Sequence, residues 1–105
     1  MKLRLLRIAT MSLAALAGTA GAQDSAALHA RALAATCANC HGTDGRTVEG
    51  SAIPSLVGMP KSYMLTQMKA FREGTRPATV MHQLAKGLTE PQVESIANYF
   101  ASTKR

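Results

Sequence analysis

The segment Cys37-Ala38-Asn39-Cys40-His41 decides the fold of this 105-residue chain. Residues three and four apart share one face of a helical turn, so a turn here points Cys37, Cys40 and His41 the same way. Two thiols and an imidazole at the C-x-x-C-H spacing are the attachment signature of a c-type haem. The thiols form thioethers with the vinyl groups of the porphyrin, and the imidazole reaches the iron. We therefore predict one haem c, bound covalently through Cys37 and Cys40 with His41 as an iron ligand.

Three other uses of a cysteine pair are less consistent with the sequence. A redox-active pair belongs to a βαβ context, and no alternating strand pattern is present. A structural zinc site needs four ligands, whereas the chain has two Cys and three His without a second paired spacing. A disulfide between Cys37 and Cys40 would close a very short loop and contribute little stability. Covalent haem is the preferred interpretation.

Upstream of the motif, an alanine-rich segment predicts a first helix over Ala26–Thr36, with Asp24 or Ser25 as its N-cap. Downstream, residues 42–58 contain several glycines and a proline that interrupt any regular pattern. We expect this stretch to be a loop.

The C-terminal half predicts three further helical segments. A middle helix opens at Pro60 and ends at Gly74, and a brief helical turn covers Val80–Lys86. Thr89 and Gln92 have the spacing of a capping box at the start of a final helix. Its apolar residues recur at helical spacing and predict one buried face: Val93, Ile96, Ala97 and Phe100. The predicted fold class is all-α.

Six side chains are candidates for the second iron ligand: Met59, Met64, Met68, Met81, His29 and His82. Met64 and Met68 lie four apart on the middle helix and are predicted as core residues. Met59 lies in a Gly-Met-Pro turn, and His29 is expected to face solvent. Met81 is the best placed, because enough chain separates it from His41 to wrap the ring, and His82 is the alternative beside it.

Residues 1–22 read as a secretory signal peptide. They contain a basic start, an apolar run over Ile8–Ala17 and a small-residue site at Ala20-Gly21-Ala22. The apolar run is too short for a spanning helix, which needs roughly 20 residues, so we expect no membrane anchor. Cleavage after Ala22 would leave residues 23–105 as a mono-haem domain in the periplasm.

The charge balance points to a protein partner. Three of the twelve basic residues lie in the signal segment, so the net charge falls from +6 to +3 without it. This charge, without interleaved aromatics, excludes nucleic acid as the main partner. Five basic residues lie in one central stretch: Lys61, Lys69, Arg72, Arg76 and Lys86. They predict either a docking face for an acidic partner or an ordinary solvated helix face.

The chain has four aromatic residues and no tryptophan, which leaves little material for a core: Tyr63, Phe71, Tyr99 and Phe100. Small domains of this kind are usually stabilised by a metal, a disulfide or another non-protein group. We expect the haem to fill the centre.

The residues from Leu33 to Ala101 resemble the class I c-type cytochromes. The resemblance rests on the haem motif, the run Gly50–Gly58 and further matching positions: Tyr63, Gln67, Phe71, Gly74, Arg76, Met81 and Leu88. They look most like the cytochrome subunit of sulfide dehydrogenase (flavocytochrome c), and more loosely like one half of a dihaem cytochrome of the c4 type. The better-known members of both groups carry two haem motifs, whereas this chain carries one.

The resemblance implies three to four helices wrapped around one haem, with His41 and Met81 as the axial ligands. It also implies that the carbonyl of Pro54 accepts the Nδ1 proton of His41. Gln67 and Arg76 are assigned to the haem propionates on the same basis.

The resemblance further implies a periplasmic electron carrier without substrate chemistry of its own, which accepts electrons from a flavoprotein sulfide dehydrogenase. Two alternatives stay open. One is a freely diffusing shuttle to a terminal oxidase or another respiratory complex. The other is a haem-based ligand binder with a labile sixth iron position.

Overall fold

Helices and one 3₁₀ turn make up the regular structure of residues 21–104. The computed structural model describes the backbone of residues 21–104 and the side chains of residues 25–104. In order, the elements are α1 (Gly21–Ala35), α2 (Ala38–His41), a 3₁₀ turn (Thr43–Gly45), α3 (Lys61–Glu73), α4 (Met81–Lys86) and α5 (Glu90–Ser102). Residues 21–104 contain no strand, which confirms the predicted all-α class.

The ends of α3, α4 and α5 lie where the local sequence predicts them. Helix α3 follows Pro60 and ends at Gly74 in the left-handed conformation, with φ 77°. Helix α4 lies between Val80 and Gly87. At the start of α5, Thr89 Oγ1 accepts from the Gln92 backbone N–H and the Thr89 N–H donates to Gln92 Oε1, so the capping box is complete.

The predicted start of the first helix is wrong. Asp24 and Ser25 lie inside α1, which is already helical at Gly21, so neither is an N-cap. Alanines on both sides favour continuation of the helix over a cap at this point. Of the predicted signal segment, only Gly21 and Ala22 fall within the described residues.

The core lies where α1, α3 and α5 meet. Its central cluster consists of Ala34, Met64, Ile96, Ala97 and Phe100. The four residues predicted for the buried face of α5 are all buried, and Phe100 is only 1% exposed. Helix α4 packs against α3 at the edge of this cluster. Within the described residues, no helix combines the length and the apolar character needed to cross a membrane.

Gly45 allows the loop after the haem motif to lie directly on the core. It has φ +76°, and a Cβ atom there would lie 2.8 Å from Phe100 Cε1 and 2.9 Å from Leu56 Cβ. A side chain at this position is therefore excluded both by backbone conformation and by contact with a buried ring. Gly50 has a similar φ of +78°, but no atom lies within 4 Å of the corresponding Cβ position.

Replacement of Gly45 by alanine is expected to lower the free energy of unfolding by about 3 kcal/mol, from left-handed strain and overpacking together. Gly50→Ala, which carries only the conformational strain, should cost about 1 kcal/mol. Urea unfolding of the haem-loaded protein measures both changes. An equal loss of unfolding free energy in the two variants would show that Phe100 moves aside without penalty.

Candidate functional site

The haem motif forms one helical turn. Cys37 has helical backbone angles immediately before α2, and the His41 N–H donates to the Cys37 carbonyl at 2.9 Å. This turn brings Cys37, Cys40 and His41 together, as their spacing requires. Cys37 is half-buried against the core cluster, Cys40 is exposed, and no disulfide joins them.

His41 is held by the loop that follows it. The ring is 9% exposed, and its Nδ1 lies 2.7 Å from the carbonyl oxygen of Pro54. A carbonyl can only accept, so Nδ1 carries the proton and Nε2 of the neutral ring keeps a free lone pair. The loop is turned back toward the motif by two bonds to the Gly45 carbonyl, from the Leu56 N–H at 2.9 Å and from Ser55 Oγ at 2.9 Å.

Burial raises the pKa of the Cys37 thiol, and a weaker hydrogen bond from Thr36 acts in the opposite direction. Reactive cysteines of redox pairs have the opposite shift, because their chemistry needs the thiolate at neutral pH. The raised pKa of Cys37 therefore argues against a reactive thiolate of the redox-pair kind at this position.

Met81 is the first residue of α4 and is half-buried. Ala85 lies one helical turn later on the same face and is fully buried, so this face of α4 is directed into the protein. The neighbouring His82 has a buried Nδ1 without a hydrogen-bond partner.

The other candidate ligands occupy the positions expected of them. Met64 is 5% exposed within the core cluster, and Met59 and Met68 pack against it. His29 is exposed on α1. Met64 is thus a core residue, and Met59 and Met68 pack around the core.

Gln67, in the middle of α3, and Arg76, in the loop just after it, lie side by side. Arg76 Nη1 donates to Gln67 Oε1, and the Arg76 guanidinium lies 4.6 Å from the centre of the Phe71 ring. The remaining guanidinium N–H groups and the Gln67 amide N–H groups are the donor types that carboxylates accept from.

A second cluster near the motif was missed by sequence analysis. Tyr99 Oη donates to Asp44 Oδ1 at 2.6 Å, and Arg31 Nε lies 3.8 Å from the same oxygen. The hydrogen bond raises the pKa of Tyr99. The cluster joins α1 and α5 to the 3₁₀ turn, at one end of a groove of about 870 Å³ between the two helices. The one sequence feature that could have pointed to this cluster is the Asp44-Gly45 pair, which is typical of a turn.

Most of the central basic residues have partners. Lys61 Nζ lies 2.7 Å from Glu94 Oε1, Lys69 Nζ lies 3.8 Å from Glu73 Oε1, and Arg72 pairs with Glu90. These pairs neutralise much of the positive charge of α3 locally. Lys61 and Lys69 stay partly or largely exposed in these pairs, so the docking face and the solvated face both stay predictions.

The residues present fit a haem. His41 offers one free nitrogen in a buried position, and the two thiols lie on the same turn. Several large apolar side chains are exposed: Leu28, Val48, Ile53, Tyr63, Val80 and Leu84. Ile53 and Val80 directly precede Pro54 and Met81 in the chain, so exposed apolar side chains adjoin two of the predicted site residues. A large apolar ring with carboxylates at its edge suits this combination of surface and donors.

The cytochrome c family profile matches residues 26–104 of this chain. The chain belongs to the cytochrome c family. Members of this family hold haem c covalently and carry electrons, and the fold and cofactor predictions are confirmed. This cytochrome is 41% identical over 73 residues to the cytochrome subunit of sulfide dehydrogenase of Chlorobaculum tepidum, a match that covers 70% of this chain and 64% of the relative.

Two further similarities extend the comparison. This cytochrome is 38% identical to cytochrome c4 of Pseudomonas aeruginosa over 103 residues, which cover 98% of this chain and 49% of the relative. Its fold matches the structure of Acidithiobacillus ferrooxidans cytochrome c4 with a TM-score of 0.66 and 31% identity, over 73% of this chain and 49% of the other. The chain thus spans less than two thirds of these relatives. Their names describe cytochromes and cytochrome subunits, which agrees with an electron carrier and not an enzyme.

Proposed function

We propose that this cytochrome c is a periplasmic single-electron carrier in which His41 and Met81 would ligate the haem iron, and that it accepts electrons from the flavoprotein of a sulfide dehydrogenase. The hydrogen bond from His41 Nδ1 to the Pro54 carbonyl carries the proposal. It fixes the tautomer and orientation of the imidazole and leaves Nε2 for the iron.

Haem c supplies a ferric/ferrous couple when bound. Cys37 and Cys40 anchor it, so that the cofactor is not lost outside the cytoplasm. Met81 supplies a thioether sulfur, which favours the ferrous state and raises the reduction potential relative to two histidines. Arg76 and Gln67 would donate to the propionates of the haem, and the stacking of Arg76 on Phe71 holds the guanidinium in place.

The choice of partner is supported by the relative from Chlorobaculum tepidum, which is named as the cytochrome subunit of sulfide dehydrogenase. Another relative, from Thiomonas intermedia, is named as a thiosulfate dehydrogenase electron acceptor and is 37% identical over 71 residues. Both names describe an electron acceptor for the oxidation of a reduced sulfur compound. Such a role requires a surface for docking but no general base or nucleophile on this chain.

The partner proposal is tested by isolating the haem-loaded protein from its native periplasm. We expect a flavin-containing protein to copurify, and sulfide to reduce the cytochrome only when that protein is present. Sulfide added to the cytochrome alone is the control for direct chemical reduction. A cytochrome that elutes without a flavoprotein, or that is reduced through thiosulfate oxidation and not through sulfide oxidation, would contradict the assignment.

A freely diffusing carrier is the second candidate. It is favoured by a relative of similar size, cytochrome c-554(548) of Halomonas halodenitrificans, of which this chain covers 83% at 37% identity. A free carrier forms short-lived complexes whose affinity falls with salt, whereas a subunit stays bound. Gel filtration of the native extract at low and high salt separates the two.

A further inference from the structure

Arg72 connects α3 to the far end of the short helix that bears Met81. Its Nη2 donates to the Leu88 carbonyl at 2.8 Å, and its Nε donates to the Ala85 carbonyl at 3.4 Å. Its Nη1 donates to Glu90. The Arg72 side chain is 30% exposed, whereas Glu90 is 80% exposed. The two hydrogen bonds from Arg72 to backbone carbonyls are therefore better shielded from solvent than its ion pair with Glu90.

Helix α4 is anchored at one end. Ala85, near its C-terminus, is fully buried, and the carbonyls that Arg72 contacts belong to Ala85 and to Leu88 just beyond the helix. At the other end, no side chain caps the helix, and Val80 is 46% exposed with a non-helical φ of −138°. Met81 begins this unanchored end, about 6 Å along the helix axis from Ala85.

We propose that Arg72 is a positioning residue for the Met81 ligand. By holding the C-terminal end of α4 against α3, it keeps Met81 directed inward and limits the dissociation of the thioether sulfur. The inference rests on the proposed ligation by Met81. The sequence assigned Arg72 to a basic surface, so this role follows from the two carbonyl contacts alone.

The test uses imidazole as a competitor for the position of Met81. In an equilibrium between bound and dissociated Met81, the apparent affinity for imidazole rises in proportion to the dissociated fraction. Loss of Arg72 in an Arg72→Gln variant is expected to raise this affinity about tenfold, which corresponds to one charged hydrogen bond. The far-red absorption of ferric haem with a thioether ligand should weaken in parallel.

Two controls separate positioning from charge and from general destabilisation. Lys69→Gln removes the same charge from α3 at a side chain that is 74% exposed and pairs only with Glu73. Ile96→Val loosens the core cluster without altering a contact of Arg72. Both should bind imidazole as the unaltered protein does. Equal imidazole affinity in Arg72→Gln and Lys69→Gln would overturn the proposal.

Arg72→Lys provides a second variant that keeps the charge. A single ammonium group cannot reproduce the two directed bonds of the guanidinium, so we expect an intermediate affinity for imidazole. A lysine variant indistinguishable from the unaltered protein would also overturn the proposal. Absence of the thioether band in the unaltered protein would instead refute Met81 as ligand, so the two failures are distinguishable.

Discussion

Replacement of Met81 by leucine is expected to abolish the far-red absorption of thioether-ligated haem and to lower the reduction potential. The substitution nearly conserves volume, so packing around α4 should change little. Axial ligands tune haem potentials over about 0.8 V, and loss of this sulfur should shift the potential by on the order of 100 mV. Spectroelectrochemical titration of the purified variant measures both effects.

Met59→Leu is the matched control for this variant. It makes the same substitution at a methionine that packs against the core cluster and that we do not assign to the iron. It should keep the unaltered spectrum and potential. Loss of the thioether band in Met59→Leu, with its retention in Met81→Leu, would transfer the ligand assignment to Met59.

Removal of both attachment thiols is expected to leave the chain largely unfolded. Within residues 25–104, eight apolar residues are buried, and Phe100 is the largest side chain that is fully so. A core of this size does not offset the conformational entropy of the chain, and covalent haem supplies the missing apolar contacts. Far-ultraviolet circular dichroism of Cys37→Ala/Cys40→Ala should show loss of most helical signal.

The Cys40→Ala single variant is the comparison for this experiment. It keeps the half-buried Cys37 as one attachment point and should retain haem in part of the population, with helical content between the two extremes. A double variant that unfolds cooperatively without haem would show that the protein core is sufficient by itself.

The parts of the fold that follow from short stretches of sequence could be predicted. The final helix is the best example, because its capping box involves residues three apart and its buried face follows a helical period. The turn that carries Cys37, Cys40 and His41 is local in the same sense. The first helix shows the limit of such reasoning, since favourable capping residues were overridden by the helix propensity of their neighbours.

Contacts between distant residues could not be predicted. Asp44 and Tyr99, or Gly45 and Phe100, are brought together only by the packing of α5 against the loop after the motif. Arg72 has the sequence context of a surface cation, and its contacts with the Ala85 and Leu88 carbonyls depend on how α4 folds back onto α3. Side-chain type and spacing carry no information on such partners.

The packing of the loop after the haem motif against Phe100 also determines when the attachment thiols can become enclosed. Gly45 rests on the Phe100 ring, and the Gly58 N–H donates to the Phe100 carbonyl at 2.9 Å. Cys37 and Cys40 precede α5 in the chain, so in the proposed export they emerge first, when the loop has nothing to close upon. The attachment sulfurs therefore stay accessible until α5 can pack against the loop. Completion of the C-terminal helix ends this interval.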